Sequence, residues 1–175
     1  MTKDCGVPSV VCLGLFDGVH VGHRQLILTA RQIADAQGLS LCVHTLDGQV
    51  FGKGKLLTDL DERTRLLLSC GVDRVESSRF DEELRHMPGD QFFSRVIAGK
   101  LGARHVVCGT DYRFGYQGKW GVEELKELCQ KAGIGCTVVP PVTLPDGQKI
   151  SSSMIRKALE AGDRALAARL LGREI

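Results

Sequence analysis

Short apolar runs alternate with amphipathic stretches along most of this chain. Runs rich in valine, leucine and isoleucine predict strands, and stretches whose apolar residues recur every three or four positions predict helices. Strands are predicted at 9–13, 39–45, 73–76, 104–108 and 135–139. Helices are predicted at 23–37, 58–70, 89–100, 122–132, 153–160 and 164–171, with a turn or short helix at 80–86.

This alternation predicts an α/β fold with a mainly parallel central sheet and helices on both faces. Ligands bind such sheets at the carboxyl ends of the strands, near the point where the strand order reverses. The loop after strand 9–13 lies at that edge. The glycine-rich loop 109–121 lies there too if strand 104–108 is parallel to the first. A length of 175 residues is enough for a single domain, 1–175, with a full core.

Composition narrows the class of protein. An apolar fraction of 43% is ordinary for a soluble protein, and a net charge of +2 is too small to indicate nucleic-acid or membrane binding. Because like charges do not cluster, the lysines and arginines are expected to be mostly solvated. The N-terminus is no signal peptide, and no apolar stretch is long enough to span a bilayer. Seven cysteines without a Cys-x-x-Cys pair predict reduced, mostly buried thiols in a cytoplasmic protein.

The segment Gly14-Leu-Phe-Asp-Gly-Val-His-Val-Gly-His23 joins the first strand to a helix. Helix N-termini carry unpaired N–H groups and a dipole that favours negative charge, so this turn predicts a phosphate site. Its glycines allow a tight bend and a close approach to a ligand. His20 and His23 are expected to donate hydrogen bonds to the phosphates.

Other interpretations of this turn are a structural histidine pair, a different nucleotide-binding loop and a zinc site. A histidine pair near a helix start is often structural or solvated. The turn is not a P-loop, because Gly-Lys-Ser/Thr does not follow, and it lacks the Gly-x-Gly-x-x-Gly spacing of dinucleotide sites. A zinc site is weakly supported, because no cysteine or carboxylate nearby offers a convincing third ligand.

A second segment follows the fourth predicted strand and reads Gly109-Thr-Asp-Tyr-Arg-Phe-Gly115. It offers carboxylate acceptors, a cation and flat apolar surface within a few residues. This combination suits a planar heteroaromatic ligand with a charged tail. The alternative is a packed turn with an Asp–Arg pair.

A third segment, Ile150-Ser-Ser-Ser-Met-Ile-Arg156, starts a helix. Helix capping alone explains at least one of the serines. It does not explain three in a row with an arginine one turn later. Hydroxyls, free N–H groups and a guanidinium together predict a second anion site.

Together the three segments resemble the FAD synthetase module of prokaryotic bifunctional riboflavin kinase/FAD synthetases, in the HxGH nucleotidyltransferase superfamily. The family patterns are G-x-F-D-G-x-H-x-G-H, G-x-D/N-F-x-F-G and I-S-S-T/S-x-I-R, and they occur here in the same order. The resemblance implies a Rossmann-like nucleotidyltransferase fold. It also implies AMP transfer from ATP to FMN, giving FAD and pyrophosphate, with Mg²⁺ accompanying ATP.

The resemblance also implies roles for individual residues. The catalytic group would be His20, His23 and Arg156. Contacts to ATP and its phosphates would come from Gly14, Phe16, Asp17, Gly18, Gly22, Ser151, Ser152 and Ser153. Contacts to the flavin nucleotide would come from Gly109, Asp111, Tyr112, Arg113, Phe114 and Gly115. No protein ligand of Mg²⁺ is assigned, and the expected partners are the small molecules ATP and FMN, with no nucleic acid or membrane.

The chain departs from the family pattern in three places. The Pro-His-Pro segment that usually follows the second strand is absent, although Thr45 and Asp47 keep their places. Trp120 could cover the isoalloxazine ring, but an exposed or packed tryptophan is the favoured interpretation. The family's kinase module follows a segment like 170–173, and here the sequence ends at Ile175, so riboflavin phosphorylation is not expected.

Two alternative functions remain at this point. One is a related nucleotidyltransferase acting on pantetheine phosphate, nicotinamide mononucleotide or glycerol phosphate, against which the flavin-like loop at 111–115 argues. The other is a non-catalytic flavin- or ATP-binding module, against which the histidine pair and Arg156 argue.

Overall fold

The computed structural model describes residues 6–50 and 54–175, and in it five parallel strands form one sheet. Their bounds are β1 (Ser9–Leu13), β2 (Ser40–Asp47), β3 (Arg74–Arg79), β4 (Ala103–Gly109) and β5 (Gly135–Val139). The order across the sheet is β3-β2-β1-β4-β5, with every neighbouring pair parallel. The predicted α/β fold with a parallel sheet is confirmed. The expectations for residues 1–5, and for 51–53 of the loop after β2, lie outside the described residues.

The helices follow the predicted order along the chain. They are α1 (Val21–Gln37), α2 (Leu60–Ser69), α3 (Glu82–His86), α4 (Gly89–Phe92), α5 (Val122–Ala132), α6 (Ser152–Glu160) and α7 (Arg164–Leu171). The helix predicted at 89–100 is α-helical only in its first turn and continues as a π-helix over Phe93–Lys100. Over so few turns, the spacing of apolar residues does not separate the two forms.

Both faces of the sheet are covered, which explains why the central strand β1 is a buried apolar run rather than an alternating pattern. On β1, Val10 and Cys12 belong to the core layer under α1 and α2. Val11 and Leu13 belong to the layer under the π-helix and α5. A third apolar cluster lies between α6 and α7 and extends to Val21, at the start of α1. The C-terminal helices therefore pack beside the turn that leads out of β1.

The strand order places a topological switch point between β1 and β4. Because these two strands are parallel, the loops that follow them leave the same edge of the sheet. Crevices at such points are where open α/β sheets bind ligands. The prediction that loop 109–121 joins the histidine turn at this edge is confirmed.

Arg63 is an exception to the expectation that the lysines and arginines are mostly solvated, because it is among the largest fully buried side chains. Its guanidinium donates to the carbonyls of Leu15 and Leu46 and to Thr45 Oγ1, over 2.9, 3.2 and 3.1 Å. Backbone acceptors thus replace water around this cation, and burial lowers its pKa.

The described cysteines are all free, and four of the six are buried. Burial raises the pKa of Cys42 to about 11 and that of Cys108 to about 12, so both remain protonated thiols at neutral pH. Cys5 lies outside the described residues. Across 6–50 and 54–175, none of the helices has the length and apolar character needed to cross a bilayer.

Candidate active site

A cavity of about 880 Å³ opens at the carboxyl edge of the sheet. Its volume is within the range of small-molecule sites. All three sequence motifs contribute to its wall. The residues predicted for the site that line it are Gly14, Phe16, Asp17, His20, Gly22, His23, Gly109, Asp111, Tyr112, Arg113, Phe114, Gly115, Ser151, Ser152, Ser153 and Arg156. Gly18 is the exception, and its N–H donates to Thr58 Oγ1 over 3.1 Å.

The two histidines cap helix α1 reciprocally. His20 Nδ1 accepts from the N–H groups of Gly22 (3.1 Å) and His23 (3.3 Å), and His23 Nδ1 accepts from the His20 N–H (3.3 Å). The two rings stack with centroids 3.6 Å apart. The expectation that the helix N-terminal N–H groups are free for phosphate is therefore wrong for Gly22 and His23. Gly22 leaves room for this cap, since a Cβ there would lie 3.0 Å from His20 Cε1.

This capping arrangement fixes the tautomer of both imidazoles. A neutral ring that accepts at Nδ1 carries its proton on Nε2. Burial, assisted by the charge of Lys149, lowers the pKa of His20 to about 4. Burial, then the charges of His20, Arg63 and Lys149, lowers the pKa of His23 well below its usual value. Both side chains are neutral at pH 7 and each has an Nε2–H group to donate.

The turn before the histidines has an unusual backbone. Phe16 and Val19 have φ values of +56° and +44°, a region that residues with side chains rarely adopt, and both are fully buried. The Phe16 ring meets His23 edge-on, with centroids 5.3 Å apart. Such a conformation persists only where packing imposes it, and it is typical of functional sites.

Asp17 joins the first motif to the third. One carboxylate oxygen accepts from the N–H groups of Leu57 (2.7 Å) and Thr58 (3.2 Å). The other accepts from Arg156 over 2.8 Å, and the Asp17 backbone carbonyl accepts from Ser152 Oγ over 2.8 Å. The carboxylate is 3% exposed and each of its oxygens has a hydrogen-bond partner. Its role is therefore to hold the guanidinium of Arg156 in place.

The three serines have separate tasks. Ser151 caps α6 by accepting from the Met154 N–H over 3.2 Å. Ser153 Oγ accepts from Arg156 Nη2 over 3.4 Å, while Ser152 bonds the turn. Capping therefore explains one serine, and the others fix the arginine and the histidine turn relative to each other. The Arg156 side chain is 19% exposed and lines the cavity.

The loop after β4 forms an aromatic wall. The rings of Tyr112 and Phe114 stack with centroids 5.7 Å apart and an interplanar angle of 16°. Burial raises the pKa of Tyr112, so the phenol stays neutral. Gly115 has φ +73°, and a Cβ there would lie 2.7 Å from the Gly89 nitrogen, so only glycine fits where this loop meets α4.

Trp120 packs into the protein, as favoured from the sequence. Its backbone pairs with that of Phe114 over 3.0 and 3.2 Å. Its ring lies on Gly89, where a Cβ would be 2.2 Å from the indole. It is not part of the cavity wall. The tryptophan therefore supports Phe114 from behind instead of facing a ligand.

Among the polar residues that line the cavity but were not identified from the sequence are Lys149 and His44. Lys149 forms an ion pair with Asp111, where the sequence suggested an Asp–Arg pair. Its position beside the serine motif was the available signal. His44, on β2, is buried, bonds Ser78 Oγ over 2.8 Å, and has its pKa lowered to about 4, first by burial. A polar residue inside an apolar strand was the signal there.

The acidic groups of the cavity are not arranged as a metal cage. Within the described parts of the chain, no three His, Cys, Asp or Glu side chains are grouped so that they could hold a metal ion. Asp17 and Asp111 each pair with a cation, Arg156 and Lys149 respectively. The cavity therefore presents hydrogen-bond donors and positive charge, which suit a polyphosphate anion.

Curated proteins are similar in sequence to this chain over nearly its whole length. Relatives described as bifunctional riboflavin kinase/FMN adenylyltransferase include one from Bacillus subtilis, 38% identical over 98% of this chain and 56% of the relative. Another, from Escherichia coli K12, is 35% identical over 93% of this chain and 54% of the relative. The chain thus spans about half the length of the curated relatives that it matches.

Solved structures share the fold. A Streptococcus pneumoniae crystal structure described as a macrolide-efflux protein has a TM-score of 0.85 and 31% identity, over 98% of this chain and 58% of that one. A Francisella tularensis pantoate–β-alanine ligase has a TM-score of 0.56 and 14% identity, over 98% and 72%, and shows the fold alone. The sequence profile of the FAD synthetase family matches residues 3–154, most of the chain. On that match, the chain belongs to the FAD synthetase family.

Proposed function

We propose that this chain transfers AMP from ATP to FMN, giving FAD and pyrophosphate. The observation that carries the proposal is the meeting of all three motifs around one cavity of about 880 Å³. In this proposal, the neutral imidazoles and the cationic side chains of Arg156 and Lys149 bind the phosphates. The stacked rings of Tyr112 and Phe114 bind the planar flavin. The names of the relatives, which include FMN adenylyltransferase, support the same reaction.

In the proposed reaction, an oxygen of the FMN phosphate attacks the α-phosphorus of ATP in line. The new O–Pα bond forms as the bond from Pα to the bridging oxygen of the β-phosphate breaks, and pyrophosphate leaves with that electron pair. Because the nucleophile is already an anion, no protein base is needed. The chain contributes positioning and charge stabilisation. His20 and His23 donate to the transferring group, and Arg156 holds the departing pyrophosphate.

Mg²⁺ enters this proposal with ATP, as part of the substrate. The cavity carboxylates are paired with cations, and a metal cluster is absent from the described residues, so the phosphates and water are its proposed ligands. When bound, the ion would neutralise part of the phosphate charge. Each role assigned above to a side chain is independent of how the ion is coordinated.

An adenylyltransferase for pantetheine phosphate or glycerol phosphate, which have no aromatic ring, has no use for the ring stack of the loop after β4. The ring stack does not argue against nicotinamide mononucleotide, whose ring is planar and aromatic. A non-catalytic binding module has no need for two cavity-lining histidines whose tautomers are fixed with their protons on Nε2. We also propose that residues 1–175 act as one domain with ATP and FMN as partners. Its free thiols suit a cytoplasmic location.

The test is a direct assay of the purified chain with FMN, ATP and Mg²⁺, followed by chromatography for FAD. FAD formation is the expected result. Adenylation of pantetheine phosphate but not of FMN would favour the related enzyme instead. Riboflavin is assayed separately, so that any FMN formed from it is distinguished from FMN adenylation.

A further inference from the structure

The C-terminal turn of the chain contacts the histidine turn from outside the cavity. Arg173 follows α7, and its Nη1 donates to the backbone carbonyl of Gly18 over 2.7 Å and to that of Val19 over 3.4 Å. Arg173 is half-buried and is not part of the cavity wall. The sequence segment 170–173, which the catalytic motifs do not include, is therefore joined directly to them.

The carbonyls that Arg173 binds belong to the strained part of the turn. Gly18 has φ +80° and Val19 has φ +44°, and the next residue is His20, which caps α1. A left-handed conformation at a β-branched residue is costly, so surrounding contacts must maintain it. A guanidinium that bonds both carbonyls is a strong contact of this kind, because charge-assisted hydrogen bonds are roughly twice as strong as neutral ones.

Packing at the end of α7 supports the same geometry. Gly172 ends α7 in the left-handed conformation, with φ +68°, and a Cβ there would lie 2.9 Å from Val21 Cγ1 at the start of α1. Leu171 lies beside Gly18, where a Cβ would be 3.4 Å from its Cδ2. The end of α7 therefore packs against Gly18, which precedes His20, and against Val21, which follows it.

The position of Arg173 is electrostatically costly. Burial, and then the neighbouring Arg24, lowers the pKa of Arg173. A half-buried cation beside another cation is unfavourable unless it gains specific bonds. The two backbone carbonyls of the turn are the bonds that it gains.

We infer that Arg173 is a positioning residue for adenylyl transfer: by holding the carbonyls of Gly18 and Val19, it keeps the Nε2–H groups of His20 and His23 aimed into the cavity. The kinetic part of this inference rests on the proposed function. The structural part concerns only the order of the histidine turn, so the two can be tested separately.

The kinetic test compares Arg173→Met and Arg173→Lys with the wild type in FMN adenylation. A misplacement of catalytic groups by about 1 Å can cost 10²-fold, so kcat of Arg173→Met is expected to fall by about 10- to 100-fold. KM for FMN should stay within about twofold, because the aromatic wall is untouched. Arg173→Lys should recover part of the rate, because an ammonium can still bond one carbonyl. Arg169→Met is the matched control, since Arg169 is exposed on α7, one turn before Arg173.

The structural test is independent of activity and uses nitrogen-15 NMR of labelled histidines. In the wild type, both rings should show the Nε2–H tautomer and remain neutral to well below pH 6. In Arg173→Met, mixed tautomers and pKa values closer to 6.5 are expected. Thermal melts of both variants check that they are folded.

Four results would distinguish the possibilities. Wild-type kcat together with wild-type histidine spectra in Arg173→Met would overturn the inference. A lower melting temperature with unchanged spectra and kcat would also overturn it, because Arg173 would then be a structural anchor only. Altered spectra with a lower kcat would support it. If His20→Ala and His23→Ala were fully active, the proposed catalytic role would fail, while altered spectra in Arg173→Met would still support the positioning.

Discussion

At the scale of single residues, the side chains proposed for catalysis are already bonded within the protein. The imidazoles cap a helix, and the guanidinium of Arg156 is held by Asp17 and Ser153. Such bonds orient donors before the substrate arrives, which lowers the reorganisation required in the transition state. They also mean that a substitution at the site changes stability as well as rate.

The first prediction concerns the histidine pair. His20→Ala and His23→Ala should each lower kcat by about 10²- to 10³-fold, the usual cost of losing one donor to a developing anion. The loss of His20 also removes the α1 cap and should cost about 1 kcal/mol of unfolding free energy. Steady-state kinetics and urea denaturation measure the two effects.

The control for the histidine variants is His105→Ala. His105 lies on β4, bonds Thr137 Oγ1 over 2.8 Å, and does not line the cavity. Its loss should leave kcat unchanged. Full activity in both cavity variants would show that the histidine turn has no catalytic role.

The second prediction concerns Arg156. Arg156→Lys keeps the charge but loses the planar fork, so ATP affinity and kcat should fall while KM for FMN stays unchanged. Arg156→Ala should also lower the melting temperature, because it leaves the buried Asp17 carboxylate without its cation. A loss of stability alone therefore does not show whether Arg156 binds phosphate or only stabilises the fold through Asp17. Calorimetric titration with ATP distinguishes the two roles, and unchanged ATP affinity in Arg156→Ala would exclude a phosphate role.

At the scale of elements, Arg63 from α2 links the carboxyl ends of β1 and β2. Its guanidinium bonds a carbonyl in the loop that follows β1 and another at Leu46, near the end of β2. Thr45 Oγ1 bonds the same Leu15 carbonyl over 2.7 Å. These bonds fix the start of the histidine turn relative to the neighbouring strand. They explain how a short turn with a strained backbone keeps one conformation.

The third prediction belongs to this scale. Arg63→Met should fill similar space while removing the guanidinium donor from the Leu15 and Leu46 carbonyls. Because Thr45 Oγ1 still donates to the Leu15 carbonyl, the expected cost is about 1–3 kcal/mol in total. A lower urea midpoint with an unchanged slope is the expected observation. Arg65→Met is the control, because Arg65 is exposed on the same helix. Equal stability in the two variants would contradict the role given to Arg63.

At the scale of the whole molecule, the strand order β3-β2-β1-β4-β5 is what brings the motifs together. It sets the loops after β1 and β4 side by side, and the C-terminal helices then close the third side with the serine motif. This packing leaves several histidines buried and neutral. His20 and His44 each have a pKa lowered to about 4, first by burial. Global stability is therefore coupled to pH.

The fourth prediction follows from that coupling. A buried histidine with a pKa of about 4 binds fewer protons than the same residue in the unfolded chain, whose pKa is near 6.5. Its contribution to stability is complete above pH 6.5 and is lost as the pH falls toward 4. The unfolding free energy should therefore fall less steeply across this window in His44→Gln than in the wild type, by up to about 1.4 kcal/mol per pH unit. Equal slopes would show that His44 is solvated.

The sequence by itself determined the elements and the location of the site. Apolar periodicity is a local property, so strands β1 and β5 and helices α5 and α7 were predicted with their observed bounds. Alternation of strands and helices implies a parallel sheet, and a parallel sheet places its loops at one edge. The first two motifs follow β1 and β4 and were therefore predicted at that edge, whereas the serine motif at the start of α6 was brought there by the packing of the C-terminal helices.

Only the tertiary structure decided what each residue bonds. Asp17 and Arg156 are 139 positions apart, and no local pattern pairs them. The same holds for Arg173 on the Gly18 carbonyl, Lys149 on Asp111, and Trp120 on Gly89. Such partners are chosen by the strand order and by the need of buried polar groups for hydrogen bonds, both of which arise only when distant segments pack together.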